Sequence, residues 1–177
     1  MRRRLLWAPW RIEYIRGPKP EGCVFCRALE EDDDRQNLLL LRGERAFVML
    51  NRYPYTAGHL MVLPNRHVPG IEDLTAEEAA DLWRLCVRAK RALDRAFRPD
   101  GYNVGFNLGR AAGAGVEAHL HLHVVPRWVG DTNFLPVLDD VRVISQYLEE
   151  VYDTLAPHLQ DAAGPGAPLG SESCSGS

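Results

Sequence analysis

Three histidines stand two residues apart in the second half of the chain, and this spacing determines what chemistry they can do together. The segment reads His119-Leu120-His121-Leu122-His123-Val124-Val125, with imidazole and apolar side chains in strict alternation. Alternation of period two predicts a β-strand, because successive side chains on a strand point to opposite faces. Three of the chain's six histidines therefore share one face. The core side is predicted to hold Leu120, Leu122 and Val124.

A row of imidazoles needs a use, because each buried ring must find hydrogen-bond partners for two nitrogens. Three uses fit such a row: a metal site, a pH-sensitive surface, or a histidine nucleophile whose neighbours orient it and hold a charged substrate. The residue types leave these alternatives open. We expect the histidine face to look into solvent, a pocket or a metal site.

The order of these seven residues resembles the signature of the histidine triad family of nucleotidyl hydrolases and transferases. That signature is His-φ-His-φ-His-φ-φ, where φ is apolar, and the chain matches every position of it. The resemblance implies that His121 attacks an α-phosphate and carries the nucleotidyl group as a phosphoramidate. It also implies that His119 and His123 orient this nucleophile and handle charge.

A second point of resemblance is the segment from residue 51 to residue 68. It follows the family's form N-x-x-P-x-x-x-G-H-x-x-V-x-P. The resemblance suggests Asn51 for the ribose hydroxyls and His59 as a further histidine beside the triad. Both roles are physically reasonable, because an amide can donate and accept with a diol, and an imidazole can hydrogen-bond within a histidine cluster.

A loop of small residues, 109–115, precedes the triad. Glycines allow backbone N–H groups to approach phosphate oxygens. Many hydrolases of the family have Gln-Ser or Gln-Thr where this chain has Gly115-Val116, so those side-chain contacts must come from backbone amides or from Arg110. The substrate-binding candidates in this region are Asn107, which resembles the family's phosphate-facing asparagine, Gly113 and Gly115.

A C-x-x-C pair, Cys23 and Cys26, lies near the start of the chain. Taken alone it fits a redox pair, half of a zinc site or coincidence, and a structural disulfide is the least expected of its uses in the cytosol. In the zinc-containing branch of the family, two histidines complete such a pair. The resemblance then implies a structural Zn²⁺ that contributes to folding rather than to chemistry. Its ligands would be Cys23, Cys26, His67 and His119.

Three further segments resemble one bacterial branch of the family. They are residues 6–11, 103–109 and 126–134. That branch includes diadenosine tetraphosphate phosphorylases, which pass the adenylyl group to inorganic phosphate instead of water. In the last segment Trp128 is a candidate for stacking on a base, with ordinary packing as the alternative.

Composition sets limits on the class of protein. A chain of 177 residues with 46% hydrophobic residues is enough for one domain with its own core. The net charge of −3 gives no general attraction to nucleic acid or to an anionic membrane. Pro9 and Arg11 interrupt the first apolar run, and no run approaches the roughly 20 residues that span a bilayer. We expect a cytoplasmic protein whose partner is a nucleotide substrate, with neither nucleic acid nor membrane.

The periodicity predicts an α+β domain. A capping box at Thr75 and Glu78 opens an amphipathic helix at 76–97, and a second helical pattern covers 141–159, where Pro157 is expected to bend or end it. The predicted strands are 37–41, 46–50, 102–108 and the triad segment, and residues 42–45 between the first two predict a hairpin turn. These elements predict a mainly antiparallel sheet with one long helix packed on it and a C-terminal helix. This is the histidine triad (HIT)-like fold that the resemblance implies.

The chain is predicted to divide into an N-terminal arm at 1–22, one domain at 23–160 and a disordered tail at 161–177 that contains Cys174. The resemblance implies a homodimer in which two domains pair through the helix and a strand to form a continuous sheet. We also expect Mg²⁺ to accompany the nucleotide substrate.

The resulting hypothesis is an enzyme that cleaves dinucleoside polyphosphates, such as diadenosine tetraphosphate, through a nucleotidyl group covalently bound to His121, with phosphate as the acceptor. One alternative uses water to hydrolyse the same substrates or nucleoside phosphoramidates. A second is a metal-dependent hydrolase with the triad as catalytic ligands, for which the sequence lacks an obvious completing carboxylate. A third is a nucleotide-binding protein without turnover.

Overall fold

The computed structural model describes residues 22–131 and 147–160. The predicted N-terminal arm except Gly22, the beginning of the second helical pattern and the tail with Cys174 lie outside these residues. The helices and strands, numbered in chain order, are α1 (Val24–Glu30), β1 (Leu39–Arg42), β2 (Ala46–Leu50), β3 (Leu60–Pro64), α2 (Ala76–Phe97), β4 (Gly101–Phe106), β5 (Leu122–Arg127) and α3 (Leu148–Gln160), with short 3-10 helices at Ile71–Asp73 and Arg110–Ala112.

The five strands form one antiparallel sheet in the order β1-β2-β3-β5-β4. The predicted hairpin between β1 and β2 closes where the Gly43 N–H donates to the Ala46 carbonyl at 2.9 Å. Strand β5 lies between β3 and β4, so that His123 pairs with Met61 on one side and with Gly105 on the other. The predicted α+β class with a mainly antiparallel sheet is confirmed.

The boundaries of three predicted strands differ from the structure. Strand β1 covers Leu39–Arg42 and not the predicted 37–41. Regular β5 begins at Leu122 and not at His119. The Leu120 N–H instead donates to the Val68 carbonyl at 2.7 Å, in the segment after β3. Strand β4 covers Gly101–Phe106, so that Asn107 lies just beyond its end. Strand β3 is missing from the sequence prediction, because its five residues form an apolar run without alternation and are buried on both faces.

Apolar side chains fill both faces of the sheet. On one face α2 and α3 cover a large cluster that includes Leu122 and Val124, which confirms their predicted core side. On the other face a smaller cluster includes Phe25 and Met61. The three triad histidines are themselves at most 7% exposed. The residues after β3 and helix α1 therefore meet on the histidine side of the sheet.

The helices largely follow the predicted pattern. Helix α2 covers the predicted 76–97. Its C-cap is Arg98, whose φ of 47° is left-handed and which lies directly before Pro99. The described part of the second pattern is α3, which continues three residues past Pro157. Pro157 therefore does not end the helix, because the fully buried Leu155 and Leu159 pack its last turn into the core. None of the helices in the described ranges has the length and apolar character needed to cross a membrane.

The capping box of α2 makes a testable contribution to stability. The Glu78 N–H donates to the Thr75 hydroxyl at 3.2 Å, and the Thr75 N–H donates to the Glu78 carboxylate at 2.9 Å. The Arg66 guanidinium and the Thr75 N–H lower the pKa of Glu78 to about 2.

We predict that Glu78→Gln lowers the free energy of unfolding at neutral pH by about 1 kcal/mol, because the neutral amide loses the charge-assisted hydrogen bonds from Arg66 and from the Thr75 N–H. Folding lowers the pKa of Glu78, so the carboxylate stabilises the folded state fully above its unfolded pKa of about 4.3. This contribution to the free energy of unfolding is lost as pH falls toward 2. In urea titrations, the difference in the free energy of unfolding between wild type and variant should therefore become smaller over that pH range. A gap that stays constant with pH would contradict this account.

Candidate active site and metal centre

Four side chains converge where the beginning of α1 meets the beginning of the triad. The ligand atoms of Cys23, Cys26, His67 and His119 all lie within 4.8 Å of one another. Nδ1 of His119 is 3.4 Å from the Cys23 sulfur and 3.5 Å from the Cys26 sulfur, and Nδ1 of His67 is 3.3 Å from the Cys26 sulfur. Ligand atoms around a tetrahedral ion at ordinary metal distances are about 3.5 Å apart. The cluster therefore suits a tetrahedral metal ion.

The ring of His119 is oriented for this role. Its Nε2 lies 2.9 Å from the Pro64 carbonyl, which can only accept, so Nε2 carries the hydrogen and the Nδ1 lone pair faces the two sulfurs. Burial and the neighbouring Cys23 raise the pKa of the Cys26 thiol to about 11. A bound cation would reverse that effect and hold both sulfurs as thiolates.

His121, the candidate nucleophile, is oriented by the backbone two residues before it. Its Nδ1 donates to the His119 carbonyl at 2.8 Å, which leaves the lone pair on Nε2. Burial lowers the pKa of His121, so the ring is neutral at neutral pH. The ring of Phe25 packs against it at 5.5 Å between centroids. A neutral, oriented imidazole with an available lone pair is suited to nucleophilic attack.

His59 and His123 form a buried pair beside the nucleophile. The Tyr55 N–H donates to His59 Nδ1 at 3.0 Å, so the hydrogen of neutral His59 is on Nε2. That nitrogen donates to His123 Nδ1 at 2.9 Å, which places the His123 hydrogen on its own Nε2. Burial, with a smaller contribution from His121, lowers the pKa of His123 to about 4. The pair therefore presents a neutral N–H donor at its outer end.

The two predicted asparagines flank this histidine pair. Asn51 Nδ2 lies 3.4 Å from His59 Nδ1, and the Asn51 side-chain oxygen accepts from the Tyr53 N–H at 2.9 Å. Asn107 Nδ2 lies 3.3 Å from His123 Nε2. Both candidate substrate ligands therefore lie next to the histidines, and their roles toward a substrate stay predictions.

A cavity of about 270 Å³ opens beside the nucleophile. Its lining includes His121, Asn107, Gly109 and the carboxylate-bearing Glu72 and Glu117. Arg110 is held at this edge by a hydrogen bond of 3.0 Å from its Nε to Glu117.

The other predicted substrate residues lie farther out. Gly113 and Gly115 are outside the lining of this cavity, and Gly113 ends the 3-10 helix with a left-handed φ of 88°. Trp128 follows β5, five residues from His123, and at the rise of a β-strand this is about 16 Å along the chain. The structure places Trp128 at the opposite end of β5 from His121. Its substrate role stays a prediction.

One residue of the site, Tyr55, is not among those predicted from the sequence. Tyr55 places its ring 4.5 Å from that of His59 and 5.8 Å from that of His123, and its hydroxyl 3.2 Å from Asn107 Nδ2. A partly exposed aromatic residue in a loop has no period or motif of its own. Only its place four residues before His59 could have indicated that it lies here.

The family assignment follows from comparison with known proteins. Residues 34–129, more than half of the 177-residue chain, match the model of the HIT domain. The chain belongs to the histidine triad (HIT) family. It is 40% identical to the AP-4-A phosphorylase of Mycobacterium tuberculosis over 159 residues, which are 85% of this chain and 82% of that protein.

Two further relatives extend the comparison. The chain is 38% identical to the bis(5'-adenosyl)-triphosphatase of Dictyostelium discoideum over 93 residues, 52% of this chain and 62% of that protein. A crystal structure of a Zn-bound histidine triad family protein from Mycobacterium smegmatis aligns with a TM-score of 0.63 and 29% identity, over 79% of this chain and 94% of that one. The predicted HIT-like fold is confirmed.

The four-residue cluster leads to a prediction about stability. Cys26→Ser, or treatment of wild type with a strong chelator, should remove the metal and lower the melting temperature, because metal binding contributes to folding. Metal content by mass spectrometry and melting by calorimetry measure both effects. Cys86→Ser is the matched control, because Cys86 is buried in the helix-side core away from the cluster and its variant should keep its metal. A metal-free wild type of equal stability would contradict the prediction.

Proposed function

We propose that the protein is a nucleotidyl transferase that cleaves dinucleoside polyphosphates, with diadenosine tetraphosphate as a substrate. The proposal rests on the neutral His121 ring, which lines a cavity and whose Nδ1–H donates to a backbone carbonyl. The relatives named AP-4-A phosphorylase and bis(5'-adenosyl)-triphosphatase support this class of substrate and an enzymatic role.

In the first proposed step the His121 Nε2 lone pair attacks the α-phosphorus in line. The N–P bond forms as the bond from phosphorus to the bridging oxygen breaks, and the remaining nucleotide departs with that electron pair. The imidazole becomes positively charged, which strengthens the Nδ1 hydrogen bond to the His119 carbonyl. The His123 N–H, Asn107 and the backbone amides of loop 109–115 are the proposed donors to the phosphoryl oxygens.

In the second step an acceptor oxygen attacks the same phosphorus and the N–P bond breaks, which returns the lone pair to His121. With phosphate as the acceptor, diadenosine tetraphosphate gives ADP and ATP, and with water it gives AMP and ATP. We favour phosphate, because the relative aligned over 85% of this chain is named a phosphorylase. Splitting one displacement into two is the general use of a covalent nucleophile.

We further infer that the four-residue centre holds a structural Zn²⁺. Two thiolates and two imidazoles form a donor set that zinc prefers, and the aligned Mycobacterium smegmatis structure is described as Zn-bound. Bound there, zinc would neutralise the thiolates and connect α1 to His119. Because the His119 carbonyl orients the nucleophile, the ion would support the site without contacting substrate. Mg²⁺ accompanying the nucleotide stays a prediction.

The alternative of one catalytic metal bound by the whole triad fits less well. The three rings face different partners: His119 faces the cysteines, His121 a backbone carbonyl, and His123 the ring of His59. Their nitrogens therefore do not converge on a common point within the described site.

One edge of the described sheet is open to pairing with another strand. Strand β4 is at the edge of the described sheet, with Asn103, Val104 and Gly105 exposed, and such an edge can pair with a second copy. A homodimer is therefore proposed, which sedimentation analysis would test. The domain limits, the cytoplasmic location and the lack of nucleic-acid or membrane partners stay predictions.

The proposed activity is tested by incubating the purified protein with diadenosine tetraphosphate, with and without inorganic phosphate, and separating the products. ADP and ATP that appear only with phosphate would support the phosphorylase, whereas AMP and ATP without phosphate would make it a hydrolase. An intact substrate under both conditions would favour the binding-only alternative and contradict the proposal.

A His121→Ala variant should lose at least about a thousandfold in turnover, because no other group supplies the N–P bond. Its melting temperature should remain close to that of wild type. His158→Ala is the control, because His158 lies on α3 away from the site and its loss should leave turnover unchanged. Substantial turnover by folded His121→Ala would rule out the nucleophile assignment.

A further inference from the structure

Tyr55 forms the outer cover of the buried histidine pair. Its ring lies nearly parallel to that of His123, at an interplanar angle of 27°, and is tilted by 42° to that of His59. The residue is 38% exposed, whereas His59 and His123 are at most 6% exposed. Its hydroxyl lies 3.2 Å from the side chain of Asn107. Tyr55 therefore touches both rings of the pair and the asparagine at the end of that pair.

The hydrogens of this group can be assigned in one direction only. Two donors face His59 Nδ1, the Tyr55 N–H at 3.0 Å and Asn51 Nδ2 at 3.4 Å, so this nitrogen must accept. His59 then donates from Nε2 to His123 Nδ1. Neutral His123 must therefore carry its hydrogen on Nε2.

This assignment conflicts with the present orientation of the Asn107 amide. Asn107 Nδ2 is 3.3 Å from His123 Nε2, so that two donors face each other. A half-turn of the amide about its Cβ–Cγ bond would place Oδ1 there instead. A carbonyl oxygen has two lone pairs and can accept from both the His123 N–H and the Tyr55 hydroxyl.

We propose that Tyr55 is a positioning residue that holds the Asn107 amide with its oxygen toward His123 and its nitrogen toward the substrate phosphate. This inference rests on the proposed function. In this orientation Asn107, which lines the cavity beside His121, offers N–H donors to an anionic phosphoryl oxygen. The opposite orientation would direct a carbonyl oxygen at that anion, which repels it. The Tyr55 hydroxyl therefore acts on the phosphate through Asn107.

The kinetic test is a double-mutant cycle on dinucleotide cleavage. Tyr55→Phe keeps the ring and removes the hydroxyl, and should lower kcat/KM by about tenfold, the effect of losing one hydrogen bond that holds the Asn107 amide. In an Asn107→Ala background the same change should have little effect, because the group it positions is gone. Tyr147→Phe, at an exposed position before α3, is the control and should leave kcat/KM unchanged. Equal losses in both backgrounds would overturn the positioning role.

A second measurement is independent of turnover. Nitrogen NMR of the histidine side chains distinguishes the two neutral tautomers, and we expect hydrogen on Nε2 in His59 and His123 but on Nδ1 in His121. In Tyr55→Phe, the His123 Nε2–H signal should shift, because the amide that accepts from it is less firmly held. A His123 tautomer with hydrogen on Nδ1 would overturn the inference even in a protein without turnover. Failed cleavage with the expected tautomers would instead count against the proposed function alone.

Discussion

The hydrogen bond from His121 Nδ1 to the His119 carbonyl is the constraint on which the site depends. At 2.8 Å it fixes the tautomer of the nucleophile and the direction of its ring. The accepting carbonyl belongs to a residue whose own ring is held between the Pro64 carbonyl and two cysteine sulfurs. The candidate metal centre and the proposed nucleophile therefore both depend on one short stretch of backbone. Substitution of the cysteines should therefore change the orientation of the His121 ring and not its charge.

Burial decides among the uses that a row of histidines permits. A histidine face open to water would titrate near neutral pH, but these rings are at most 7% exposed and burial lowers their pKa. They remain neutral, and each neutral ring has one donor and one acceptor. Backbone groups then determine which nitrogen of each ring carries the hydrogen. The His119 carbonyl does so for His121, and the Tyr55 N–H does so for His59 and, through it, for His123. The result is one nitrogen with an available lone pair, on His121, next to one N–H donor, on His123.

Part of this arrangement could be predicted because it is local or periodic. The triad alternation, the capping box of α2 and the hairpin at residues 42–45 are signals over a few residues. The structure follows them, except that regular β5 begins only at Leu122. The four metal-ligand candidates could be named because the chain resembles the zinc-containing branch of the family, and in the structure they lie close together. Strand β3 could not be recognised, because a strand buried on both faces shows no alternation.

The remaining differences between prediction and structure come from tertiary contacts that leave no pattern in the sequence. The start of β5 is set by the Leu120 bond to Val68, and α3 continues past Pro157 because its last turn is buried. Tyr55 could not be found because its role depends on where the loop folds back over His59. Hydrogen positions on the histidines likewise depend on backbone carbonyl and N–H groups that every residue possesses.

The central claim is that the nucleotidyl group passes through His121, and the stereochemical course at the α-phosphorus tests it most directly. A dinucleoside polyphosphate made chiral at that phosphorus, with sulfur replacing one oxygen, would be cleaved and the configuration of the nucleotidyl product determined. Each in-line displacement inverts phosphorus, so attack by His121 followed by attack by the acceptor predicts overall retention. Net inversion would show a single direct displacement and would contradict the covalent account.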